Sequence, residues 1–280
     1  MRVIYLGDVV GTPGRLAVEA AMPLLRKKHK ADLVVVNAEN AANGTGLTPE
    51  QYKKLRDAGA DGITLGDHCF KKQQIASMLN RADERVIRPL NLPPAAAGRG
   101  VMTLHANEGN GPALTVIVVL GRLFMPLPAA DPFATVETAL AELPQDRAVI
   151  LEVHAEATSE KVALGWRFNG RVAAVVGTHT HVPTADHRIL PAGVPGSHAG
   201  VPGTAYISDL GMSGPPDSVL GRRVDRVLKH MTTAMPSPFD VADGPALVSG
   251  VLLTIDDRSG RATRIDPIRQ LVDNNTLKDA

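Results

Sequence analysis

Short apolar runs that end in polar clusters recur along the chain. Val3 to Leu6 runs into Gly7-Asp8, Leu33 to Val36 into Asn37-Ala38-Glu39-Asn40, and Ile63 to Leu65 into Gly66-Asp67-His68. Ala148 to Val153, apolar except for Glu152, runs into His154-Ala155-Glu156. Val172 to Val176 runs into Gly177-Thr178-His179-Thr180-His181. Continuous runs of this length predict strands buried on both faces, as in parallel sheets. Between them the apolar period lengthens. Val18, Met22 and Leu25 share one face of a helix expected from Arg15 to Lys28, after a tight loop at Gly11 and Gly14; Pro23 is expected to kink or divide that helix. Thr48-Pro49-Glu50-Gln51 is a helix start, with Thr48 as N-cap and Gln51 closing a capping box; Gly59 ends that helix. Further helices are expected over 72–79, over 133–143, from Ser159 to about Asn169-Gly170, and over 219–231.

Strands are also expected over 101–104 and 114–120, joined by a turn at 107–111, and over 246–255 and 262–265. Two more, 188–190 and 204–208, flank a Gly/Pro-rich insert, 191–203, which contains His198 and reads as a mobile surface loop. The prolines in 88–94 demand irregular chain, and 212–218 is a second Gly/Pro-rich loop. The polar tail after Asp273 is expected to fray.

Strands alternating with helices imply an α/β fold with a largely parallel core. Such sheets bind ligands outside the carboxyl ends of their strands. That brings Asp8, Glu39, Asn40, Asp67, His68, His154, His179 and His181 to one rim. Gly177 should let the chain turn as its strand ends. If the next segment stays extended, His179 and His181 project to the same side. Taken singly, each residue has a bland reading as a turn aspartate or a solvated loop histidine. Together, carboxylates, an amide and imidazoles without thiolate suit hydrolytic Fe, Mn or Zn better than a structural zinc. The groups are too many for one tetrahedral ion. Two ions about 3.5–4 Å apart, bridged by a carboxylate, would use them, and a histidine left over could protonate a leaving oxygen.

Composition removes other classes. Lys and Arg total 30 against 29 acidic residues, so the net charge of +1 offers no footprint for duplex nucleic acid. Aromatics at 3% leave little for stacking along single strands. No run approaches the ~20 apolar residues of a membrane span. One cysteine, Cys69, and no apolar leader point to a reducing cytoplasm. A nucleophilic Cys69–His68 pair is disfavoured, because neighbours in extended chain point apart. The Ala41–Gly46 loop is not a Walker-type phosphate loop, although its glycines would let a substrate approach the backbone. Arg122 is either a phosphate contact or a surface arginine.

Five motifs, Gly7-Asp8-Val9-Val10-Gly11-Thr12-Pro13-Gly14-Arg15, Asn37-Ala38-Glu39-Asn40, Gly66-Asp67-His68, His154-Ala155-Glu156-Ala157-Thr158-Ser159-Glu160-Lys161 and Gly177-Thr178-His179-Thr180-His181-Val182, resemble the YmdB family of bacterial metallophosphoesterases. The likeness runs in order from residue 1 to about residue 255. It implies a calcineurin-like fold: one domain over 1–270, a central β-sandwich flanked by helices, a di-metal site at the strand ends, and a polar tail over 271–280. It implies phosphodiesterase activity on cyclic nucleotides, the 2′,3′-cyclic ones especially, by attack of metal-activated hydroxide on phosphorus. Asp8, Glu39, Asn40 and His181 would hold one ion. Glu39, Asp67, His154 and His179 would hold the other, with Glu39 bridging and His68 as proton donor. Fe or Mn are the favoured ions, with Zn or Mg as alternatives. Two features depart from the family pattern: Asp67 stands where Asn is usual, and the 191–203 insert is longer than expected. A broad phosphomonoesterase, or a regulatory metal- or nucleotide-binding protein with weak hydrolysis, is the alternative. The expected partner is a cyclic nucleotide or another phosphoester, with no duplex nucleic acid and no membrane; a homo-oligomer is left open.

Overall fold

A computed structural model describes residues 1–106, 111–144, 147–195 and 203–272. The tip of the 107–111 turn, most of the 191–203 insert with His198, and the tail from Asp273 lie outside the described residues. Two six-stranded sheets face each other. The first contains β1 (Arg2–Leu6), β2 (Leu33–Asn37), β3 (Gly62–Thr64), β4 (Val86–Ile87), β11 (Ala246–Asp256) and β12 (Arg261–Val272), in the order β12-β11-β1-β2-β3-β4. The second contains β5 (Val101–His105), β6 (Ala113–Leu120), β7 (Ala148–His154), β8 (Ala174–Thr178), β9 (Arg188–Ile189) and β10 (Ala205–Ile207), in the order β5-β6-β7-β8-β10-β9. Four strands in each sheet run parallel, β1 to β4 and β6-β7-β8-β10, with antiparallel strands added at the edges.

Burial explains the continuous apolar runs. Leu33 and Val35 point between the sheets, among Tyr5, Leu253, Val116 and Ile150. Val34 and Val36 point the other way, onto Val18, Met22 and Leu25 of α1 (Gly11–His29) and Leu55 of α2 (Pro49–Asp57). On the far side Leu151, Val153 and Val175 meet Val136 of α4 (Pro132–Glu142) and Leu164 of α5 (Thr158–Arg167). The result is four layers, helix–sheet–sheet–helix, in which both faces of each sheet are covered. This is the calcineurin-like arrangement the motifs imply.

Several details differ from the sequence expectations. Helix α1 begins at Gly11 and runs through Pro23 without a break. Pro23 is on the exposed side, where water can meet the carbonyl that loses its donor. The Thr48 capping box is present as expected. Residues 73–79 divide into a 3₁₀ turn and α3 (Ala76–Leu79). The last helix, α6 (Val224–Thr233), starts five residues later than Val219, because 219–222 close a turn of their own. Strand β12 continues well past Ile265, pairing along the length of β11.

Candidate metal centre

The strand ends of both sheets converge on one side of the sandwich. Asp8 follows β1, Glu39 and Asn40 follow β2, Asp67 and His68 follow β3, His154 ends β7, and His179 and His181 follow β8. One ligand atom from each of Glu39, Asp67, His154 and His179 lies within 4.8 Å of the other three. His154 Nε2 is 3.0 Å from Asp67 Oδ1 and 3.3 Å from Glu39 Oε2. His179 Nδ1 is 3.4 Å from the same Asp67 oxygen. The chain closes tightly here: a Cβ on Gly66 would sit 2.3 Å from both Glu39 Oε2 and His154 Nε2.

Hydrogen bonds fix which ring nitrogens face the cluster. Thr178 Oγ1 donates to Glu152 Oε1 at 2.8 Å, so it accepts from His154 Nδ1 at 2.8 Å and leaves the His154 Nε2 lone pair toward the cluster. His179 turns Nε2 to Glu156 Oε2 at 3.3 Å and Nδ1 inward. His181 Nδ1 donates to the Leu220 carbonyl at 3.1 Å, and its Nε2 is 3.1 Å from Asn40 Nδ2. His68 Nδ1 meets Asn40 Oδ1 at 2.7 Å, and Asn40 Nδ2 donates to Glu39 Oε1 at 2.9 Å. Beneath the cluster Glu152 is fully buried and also accepts from Tyr5 Oη and Asn37 Nδ2, each at 2.6 Å.

His179 and His181 converge for a reason other than extended chain. Both have left-handed backbone, with φ of 93° and 66°. Gly177 lies within β8 and makes no turn. Its missing side chain lets the Ser208 carbonyl approach, since a Cβ would stand 1.8 Å from that oxygen. The turn is held instead by Asp209, which accepts from Thr180 N and Oγ1 and from the Lys161 ammonium.

The donor set fits a cation. Burial, then repulsion from Asp209 and Glu152, pushes Asp8 up to about 8. Burial and the charges of Asp67 and Asp8 push Glu39 well above the usual carboxylate range. Asp67 is also pushed up by burial, but its close contacts with the His154 and His179 imidazoles outweigh this and hold it below its usual range. Burial lowers His154 to about 4, keeping it a neutral donor, and lowers His68 and His181 as well. Burial also works against a charged His179, but its bond to Asp67 outweighs this and raises it. The site thus holds more buried carboxylate than it can ionise alone, and a metal ion would compensate that charge. Asp8 Oδ1 is buried with no hydrogen-bond partner among the described residues, as a ligand oxygen would be.

The cluster opens into a cavity of about 360 Å³. Glu39, Asn40, His68, Glu156, His179 and His181 line it together with residues of the 219–239 segment. Gly44 also lines it, consistent with the glycine-rich loop letting a ligand approach the backbone. Arg122 is exposed and does not line it. Cys69 is buried, its thiol pushed by burial up to about 12. Sequence reasoning missed the roles of Glu152, Glu156, Lys161 and Asp209. Only Glu152 carried a signal, as the single acid inside a buried strand.

Known proteins bear the same pattern. The family described as YmdB-like protein matches residues 4–268. A 2′,3′-cyclic-nucleotide 2′-phosphodiesterase of Bacillus subtilis (strain 168) is 44% identical over 269 residues, 96% of each chain. A crystal structure of a hypothetical protein from Thermus thermophilus superposes with a TM-score of 0.86 at 40% identity, covering 97% of this chain and 99% of that one. A novel phosphatase of Mycoplasma pneumoniae gives the same TM-score at 33% identity, covering 99% and 96%. With its motifs, its fold and the convergence of its strand ends, this chain belongs to the YmdB-like family and carries that family's calcineurin-like fold.

Proposed function

We propose that this protein is a di-metal phosphodiesterase that hydrolyses cyclic nucleotides, with 2′,3′-cyclic nucleotides favoured. The observation that carries this reading is the Glu39–Asp67–His154–His179 cluster, two members of which, Glu39 and His179, line an open cavity. Those four residues would hold one ion. Asp8, Asn40 and His181, with Glu39 shared, would hold a second. Bound ions supply Lewis acidity toward a phosphoryl oxygen and its attacking water. Fe or Mn suit this mixed oxygen and nitrogen set.

The chain's own groups divide the remaining work. Asn40 Oδ1 accepts from His68 Nδ1 and orients the ring, so His68 would hand a proton from Nε2 to the departing sugar oxygen in its doubly protonated form. Glu156 and Thr178 fix the tautomers of His179 and His154. The Bacillus subtilis relative's described activity supports the diester choice. A cytoplasmic location belongs to the same proposal, supported by the single, unpaired and buried cysteine. No helix among the described residues is long and apolar enough to cross a membrane. The domain reading, one unit over 1–270, is supported by the family match across 4–268.

The test is a substrate panel with metal-replete protein, comparing 2′,3′-cyclic AMP with p-nitrophenyl phosphate. Turnover of the cyclic diester with little monoester hydrolysis supports the reading. The reverse preference would make the protein a phosphomonoesterase.

A further inference from the structure

The cavity that holds the histidine and carboxylate groups is also lined by apolar side chains. Leu220, Val227, Met231 and Phe239 all line the cavity that contains His68, His179 and His181. Three of these four are open to solvent: Met231 is 70% exposed, Leu220 47% and Phe239 43%. Apolar side chains left uncovered beside a polar site mark a ligand surface rather than core.

This apolar lining is built to stay in place. Leu220 has left-handed backbone, φ 52°, and its carbonyl is the acceptor that fixes His181 Nδ1. The Arg222 guanidinium donates to the carbonyls of Asn43, Gly44 and Phe239, tying the 41–46 loop to the segment that carries Phe239. The Phe239 ring is held edge-on by His230, centroids 5.4 Å apart at 75°. That leaves a presented aromatic ring, a thioether and two aliphatic groups next to the phosphoryl site.

We propose that Leu220, Val227, Met231 and Phe239 form the nucleobase subsite of this enzyme, seating a planar heterocycle against Phe239 and Met231 while its phosphate sits at the histidine–carboxylate wall. This rests on the phosphodiesterase reading above and names the part of the substrate that reading leaves unplaced. Every base has a π-face, so stacking here selects nucleoside esters without selecting strongly among bases. Arg222 is a positioning residue, holding the wall at a fixed distance from the phosphoryl site. The occupant is a base rather than a second copy of this chain because these four side chains face the cavity. Val224 and Leu228, on the same helix as Val227 and Met231 and also exposed, do not line it.

The experiment pairs binding with turnover, using metal-replete protein, the wild type, Phe239→Ala and Met231→Ala. Calorimetric titration with adenosine 3′-monophosphate and with inorganic phosphate reads the subsite without requiring hydrolysis. Base–aromatic stacking is worth about 1–3 kcal/mol, or roughly 5–150-fold in affinity. Each variant should therefore bind the nucleotide at least about fivefold more weakly and bind phosphate unchanged. In turnover, KM for 2′,3′-cyclic AMP should rise by the same factor with kcat nearly constant, while ethylene cyclic phosphate, a five-membered diester without a base, should be unaffected. Both side chains are substantially exposed, so folding should survive; an unchanged melting temperature checks this. Equal losses for nucleotide and phosphate, or no loss for either, overturn the subsite. So does a shift of the variants from oligomer to monomer with unchanged nucleotide affinity, which would make the wall a contact between copies. If the wild type binds the nucleotide more tightly than the variants yet hydrolyses no diester, the subsite stands and the phosphodiesterase reading fails.

Discussion

The ammonium of Lys161 lies 2.8 Å from Asp209 Oδ2, and both side chains are almost wholly buried. The same oxygen accepts from Thr180 N at 3.1 Å and Thr180 Oγ1 at 2.6 Å. Thr180 is the residue between the two left-handed histidines. A buried ion pair, rather than strand geometry, therefore holds His179 and His181 in a backbone that non-glycine residues avoid.

Breaking that pair should be severe. Asp209→Ala leaves an uncompensated ammonium in the interior and should cost about 3–5 kcal/mol. Urea denaturation of the apo-protein measures this. Lys161→Met with Asp209→Leu should cost less than the single Asp209→Ala, because no buried charge is left unpaired. Both proteins should still retain less metal than wild type after dialysis, since Thr180 has lost its anchor.

Asp67 is one of the two carboxylates in the four-residue cluster. Its Oδ1 lies 3.0 Å from His154 Nε2 and 3.4 Å from His179 Nδ1. An ionised ligand adds attraction for a divalent ion; a unit charge at ~4 Å is worth about 4 kcal/mol at an effective dielectric of 20. Asp67→Asn keeps an oxygen ligand but loses that charge, so divalent affinity should fall by about 10³-fold. Competition with a chelator of known affinity checks it. Stripping metal from wild type should lower the melting temperature, because an ion at 100 times its dissociation constant contributes about 2.7 kcal/mol. Failure of added Mn²⁺ to restore it would remove the cluster as a cation site.

The strand ends were legible because each buried run stops abruptly at a polar cluster. Leu33 to Val36 is apolar throughout because β2 is covered on both faces, and the run ends where the chain leaves the sandwich for the site. The sheet order was not legible. Strand β1 pairs with β11, some 250 residues away, and no local pattern encodes that register. The start of α6 was overrun because Val219 and Leu220 fit the helical period, whereas Leu220 in fact turns its carbonyl to His181. Asp209 gave no signal, since an aspartate after a short strand reads as a turn residue until Lys161 is seen to meet it. The two-histidine motif was read as extended chain, and the geometry differs because positive φ at His179 and His181 leaves no trace in composition.

His68 sits at the rim, about a quarter of its side chain exposed, with Asn40 as its partner. Its removal should spare the cluster beneath it. His68→Ala should keep wild-type metal content and lose about 10²–10⁴-fold in kcat, the usual range for a positioned acid. Elemental analysis and steady-state kinetics with 2′,3′-cyclic AMP read the two quantities separately. Unchanged turnover would take His68 out of the mechanism.

Thr178 links the buried acid to the metal cluster. It accepts from His154 Nδ1 and donates to Glu152 Oε1, each at 2.8 Å. Thr178→Val keeps shape but removes both bonds, freeing the His154 ring to change tautomer and leaving Glu152 a donor short. Partners of this kind typically change metal affinity or activity by about 10–100-fold. The expected signature is a higher metal requirement for activity, with kcat largely recovered at saturating Mn²⁺. Thr178→Ser keeps the hydroxyl and should behave as wild type. A Val variant that binds metal normally but turns over slowly would place the effect on the reaction instead, and the Glu152–Thr178–His154 chain would then be read as shaping the charge of the site rather than holding a ligand.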